Sequence, residues 1–203
     1  MKSAEKNFLF IHIPKTGGNA VQKVLMPYCD DQIYRKGYQD GKLNDFEIKN
    51  ELGICRKHEW IGAYINNSHL IKGGFDEYFK FTVVRNPWER MVSWYCWRHP
   101  SLSQHLDLDH FRTHCLNLSH PSMLEYISYD QNIRVDHIIR YENLESEFRQ
   151  TCAQLNIPFN GWEHTNASKH PHYSQFYTPA DRDFVEEKYK NDIDEFGYKF
   201  EKK

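Results

Sequence analysis

The sequence has no long apolar run: its first, Phe8 to Ile13, is six residues. That is too short for a membrane span of roughly 20 residues or for a signal-peptide core. No membrane span is therefore expected, and the run reads as a buried strand. No CxxC pair is present, and the five cysteines (Cys29, Cys55, Cys96, Cys115, Cys152) are odd in number and widely spaced. A disulfide framework or a cysteine zinc site is not expected, and a cytoplasmic home is the simpler one. Nor is there a surplus of positive charge, with 26 Lys plus Arg against 28 Asp plus Glu. That balance speaks against nucleic-acid partners and against a long polyanionic acceptor. The Walker A pattern GxxxxGK[ST], internal repeats and low-complexity tracts are also missing.

What is present fits one soluble α/β domain of 203 residues, large enough to bury a core. Phe8 to Ile13 is a near-continuous apolar run, as expected of a strand covered on both faces, and Phe79 to Val84 is a second apolar run that reads as a central strand. RVDHIIR (134–140) predicts a third strand. Asn19 to Met26 predicts a helix with Ala20, Val21, Val24 and Leu25 on one face and Pro27 ending it. Residues 59–72 suggest another helix. Asn86 as N-cap with Pro87 at the first helical position predicts a helix through Trp97. Leu144, Phe148, Cys152 and Leu155 repeat at helical spacing, and Thr178-Pro179-Ala180-Asp181 resembles a capped start. Strands alternating with helices predict a central parallel sheet flanked by helices. Residues 28–57 and 98–130 read as acceptor-side insertions.

Two turns carry the chemistry. Pro14-Lys15-Thr16-Gly17-Gly18-Asn19 lies between a strand and a helix. Glycines there let the backbone approach an anion, and the helix start offers N–H groups and a positive dipole end. An ordinary glycine turn with a solvated lysine has the same appearance. Arg85 follows the second strand, and a parallel sheet puts it at the same carboxyl edge, where ligands of open α/β sheets bind. Ser93 sits in the second turn of the next helix, within reach of an anion held by that guanidinium. Two anion sites on one edge suggest a nucleotide with two separated phosphates.

FIHIPKTGGNAV (10–21) resembles the 5′-phosphosulfate loop of sulfotransferases that use 3′-phosphoadenosine 5′-phosphosulfate (PAPS). FKFTVVRNPWERMVSWY (79–95) resembles their 3′-phosphate motif. The segments at 138–148 and 166–200 are also similar, particularly to the carbohydrate-type branch that includes heparan sulfate 2-O-sulfotransferase and small bacterial members. The resemblance implies a P-loop-NTPase-like three-layer fold. It implies sulfuryl transfer from PAPS to a hydroxyl of a carbohydrate or small molecule, leaving adenosine 3′,5′-bisphosphate. By the same resemblance, Lys15 would stabilise the leaving phosphate, and Thr16, Gly17, Gly18 and Asn19 would cradle the 5′-phosphate. The family usually has Thr or Ser where Asn19 stands. Arg85 and Ser93 would hold the 3′-phosphate, and Ser168 and Lys169 would close over the nucleotide.

In-line sulfuryl transfer needs a base for the acceptor proton. By the resemblance, His58, in Arg56-Lys57-His58-Glu59, is the candidate, since relatives of the carbohydrate-type branch often show a Lys-His pair ahead of a helix and neutral histidine accepts a proton near neutral pH. Glu59 is second, and without the resemblance His58 reads as an exposed loop histidine. The transferred group carries less charge than a phosphoryl group, and no metal-binding carboxylate pair is evident, so no metal is expected. His12 and His137 lie on strands and read as structural. His110 and His114 have i, i+4 spacing but lack the glutamate of HExxH. His170 and His172 adjoin Lys169. Trp60, Trp88, Trp94 and Trp97 offer an adenine platform or simply core. A small-molecule kinase of P-loop type and an inactive nucleotide- or carbohydrate-binding module are the competing functions.

Overall fold

The computed structural model describes residues 1–35, 46–49, 57–103, 107–116, 120–162 and 170–203. The fold is mixed α/β, with a mostly parallel four-stranded sheet packed against helices, consistent with the P-loop-like architecture. The chain falls into two compact units: Met1–Val84 with Glu125–Glu163, and Arg85–Leu124 with His164–Lys203.

The first unit contains the sheet. Its strands are β1 (Lys2–Ser3), β2 (Phe8–Ile11), β5 (Phe79–Val84) and β8 (His137–Arg140), in that spatial order. Two small hairpins complete the strands: β3 (Gln32–Arg35) with β4 (Phe46–Lys49), and β6 (Ser128–Tyr129) with β7 (Asn132–Ile133). β2, β5 and β8 are mutually parallel, with Phe10 opposite Phe81 and Val83 opposite Ile139. β1 adds an antiparallel edge that the sequence pattern did not reveal, because two residues are too few to show a period. Every residue of β2 is buried, which explains the unbroken apolar run. Phe8, Phe10, Phe81, Val83 and Ile139 line one face. They pack with Val21 and Leu25 of the Gly18–Leu25 helix and with Phe148 and Cys152 of the Leu144–Gln154 helix.

Several expected boundaries shift. The strand after Phe8 ends at Ile11, and the strand expected from Arg134 starts at His137. Over 59–72, only Ile61–Asn66 is α-helical. The first helix buries Gly18, Val21, Gln22 and Leu25, rather than a face running through Ala20 and Val24. That is an i, i+3, i+4, i+7 stripe in which glycine and glutamine hold the polar end.

In the second unit, the Pro87–Arg98 helix buries Trp88, Met91, Val92 and Tyr95. The Tyr95 ring meets Phe111 and Phe176 edge-on at 5.3 and 6.1 Å. Thr178 and Asp181 form the expected capping box at the start of Pro179–Lys188. The buried Asp192 accepts from the backbone N–H groups of Met123 and Leu124 at 2.7 and 2.9 Å.

Candidate active site

The turn after β2 is built from unusual backbone. Lys15 has φ +66° and Gly17 φ +89°. A non-glycine residue in this region is disfavoured by roughly 1–2 kcal/mol, and such strain concentrates where geometry serves a ligand. The fully buried Thr16 closes the turn, its Oγ1 donating to the Ile13 carbonyl at 2.9 Å. Gly17 occupies the N-cap position and brings no side-chain acceptor. No cap side chain therefore meets the first-turn N–H groups, the arrangement that suits an anion. Both glycines are required sterically. A Cβ on Gly17 would lie 2.8 Å from the Tyr141 ring, and one on Gly18 would lie 2.2 Å from the His12 ring. Lys15 is half-buried and Asn19 exposed.

His58 lies in the same unit and is half-buried. Its Nδ1 is 2.9 Å from the His12 carbonyl oxygen. A carbonyl only accepts, so Nδ1 carries the proton and the lone pair of the neutral ring is on Nε2. The two imidazole rings meet edge to face with centroids 4.4 Å apart. Burial, above all, holds the His12 ring well below the usual histidine range, and the neighbouring charges of His58 and Lys57 push the same way. Glu59, the second candidate base, has its Oε1 3.1 Å from the Trp60 N–H as acceptor.

The second turn has different chemistry. β5 ends at Val84 and Arg85 follows directly. Arg85 is 6% exposed, and its Nη2 donates to Glu89 Oε1 at 3.0 Å. The Asn86 side chain caps the helix, accepting from the N–H groups of Trp88 and Glu89 at 3.1 and 3.4 Å. Those two donors are therefore already satisfied. Ser93 is buried on the same helix. Because β2 and β5 are parallel neighbours, the chain leaves both strands at one edge of the sheet.

Lys15, Thr16, Gly17, Gly18, Asn19 and His58 thus belong to the first unit, and Arg85 and Ser93 to the second. Ser168 and Lys169 lie outside the described residues. His110 and His114 do meet, their rings stacked 3.9 Å apart, with Tyr95 Oη 3.1 Å from His110 Nδ1. Among the described residues, no group of three His, Cys, Asp or Glu is arranged to hold a metal. Trp88 is buried core, whereas Trp60 is 41% exposed against Tyr126. No helix among the described residues is long and apolar enough to cross a membrane. Spacing did not reveal Gln22 or Glu89; a polar residue on an otherwise buried stripe, and an acid four residues after Arg85, were the available signals.

The fold is mixed α/β, with a mostly parallel sheet in which β2 leads into a glycine turn and its neighbour β5 directly into Arg85. Residues 1–99 match the sulfotransferase family model, a span that holds both turns and His58. That stretch, just under half of the chain, is similar to the sulfotransferase family, whose members are enzymes that use PAPS. The match is to the family at large and singles out no branch. No curated protein and no solved structure matches the chain.

Proposed function

We propose that this protein moves the sulfuryl group of PAPS to a hydroxyl of a carbohydrate or small-molecule acceptor, with His58 as the base. The observation that carries the proposal is the pairing of an uncapped, glycine-built helix start after β2 with a buried arginine directly after β5, its parallel neighbour. The donor set fits the cofactor. Backbone N–H groups of Thr16 to Asn19 and the Lys15 ammonium suit the 5′ end, and the guanidinium of Arg85 with the Ser93 hydroxyl suits the 3′-phosphate. When bound, PAPS supplies the sulfuryl group. The protein's part is to hold both ends, to set a positive charge at the leaving phosphate, and to accept the acceptor's proton on His58 Nε2. The near-neutral charge balance favours a small or weakly charged acceptor. A cytoplasmic location belongs to the proposal on the number and spacing of the cysteines.

Calorimetric titration tests the cofactor. Adenosine 3′,5′-bisphosphate should bind at least tenfold more tightly than ADP or ATP. Equal affinity for all three would remove the assignment and favour a kinase. Turnover of PAPS with a panel of hydroxyl acceptors then separates an enzyme from a binding module.

A further inference from the structure

His12 is buried to 3% exposure and has no place in the chemistry above, yet it adjoins two parts of it, His58 and Gly18. Its carbonyl accepts from His58 Nδ1, and its ring lies edge to face with the His58 ring. Its Cδ2 and Nε2 fill the space where a Gly18 side chain would begin, 2.2 and 2.4 Å from that position. On the strand side, Phe10 stacks on it at 5.7 Å. Gln22 stands four residues after Gly18 on the same helical stripe and is fully buried. Its amide lies close enough to favour the protonated ring. Even so, neither amide atom nor His12 Nδ1 reaches hydrogen-bond geometry.

We propose that His12 is a positioning residue: its flat ring confines His58 against the residue 12 carbonyl, locks the Nδ1–H tautomer, and ties that geometry to the anion turn through Gly18. This rests on the reading of His58 as base. In water a neutral imidazole samples both tautomers and several rotamers, and only one leaves the lone pair on Nε2. A backbone carbonyl alone does not hold a half-buried ring in line; a packed neighbour does, and small displacements of a reacting group are costly in rate. The neutrality of His12 matters too. The charges facing it are those of His58, Lys57 and the Met1 ammonium. Staying uncharged, it sets no second cation against the proton that His58 must take up.

Nitrogen-15 NMR of the histidine rings in the full chain, without donor or acceptor, reads this directly. The wild type should show His58 as a single Nδ1–H species above its pKa. His12→Leu should give a mixture of tautomers and a shifted His58 pKa, while His12→Phe, which restores a flat ring, should keep the single species. Both variants should bind adenosine 3′,5′-bisphosphate within about threefold of wild type, while turnover of His12→Leu falls about tenfold or more. If His12→Leu does not fold, His12→Asn carries the same comparison. A His58 tautomer unchanged by loss of the ring, with only the melting temperature lowered, would overturn the inference. Failure of the wild type to bind the bisphosphate would sink the functional proposal and leave the tautomer result standing.

Discussion

The two turns that follow β2 and β5 are built by different means. After β2, Gly17 at the N-cap position brings no side-chain acceptor, and Lys15 and Gly17 adopt left-handed conformations. After β5, the Asn86 side chain caps the helix in the usual way, and a buried Arg85, paired with Glu89, carries the charge. A backbone cradle is shaped by sterics and tolerates few substitutions. A side-chain clamp can be tuned, weakened or released one group at a time.

Four substitutions would sharpen or break that contrast. Lys15→Ala should lower turnover the most, by about a hundredfold or more, as for other groups that offset charge in the transition state. Its bisphosphate affinity should change less than tenfold; a loss confined to affinity would mean that Lys15 only binds. Arg85→Ala should weaken adenosine 3′,5′-bisphosphate by tenfold to a hundredfold, the scale of about 1.5–3 kcal/mol for charged hydrogen bonds. Binding of adenosine 5′-monophosphate should hardly change, and an equal loss for both would take Arg85 away from the 3′-phosphate. Asn86→Ala should cost about 1 kcal/mol of stability, the usual worth of a cap, read by denaturant unfolding. Glu89→Gln should have the smallest effect, tightening the bisphosphate a few-fold by freeing the guanidinium from a carboxylate. Weaker binding would show that Glu89 holds Arg85 in place instead of competing for it.

Strands β2 and β5 were legible because their residues are almost all buried, which writes Phe8–Ile11 without a polar residue and leaves only Lys80 and Thr82 in Phe79–Val84. The Asn86 and Thr178 caps were legible because capping places its residues at fixed offsets. Local pattern could not show that the glycine pair is required by His12 and Tyr141, since Tyr141 is distant in sequence. It also missed the His12–His58 contact, which joins residues 46 positions apart. The buried Gln22 broke the expected helical face because hydropathy alone does not place a glutamine on a buried stripe.

Crystals grown with adenosine 3′,5′-bisphosphate test the central claim most directly. The account predicts the 5′-phosphate on the N–H groups of Thr16 to Asn19 and the 3′-phosphate on Arg85 and Ser93, within one nucleotide. A bisphosphate bound at only one of these turns, or away from both, would contradict it.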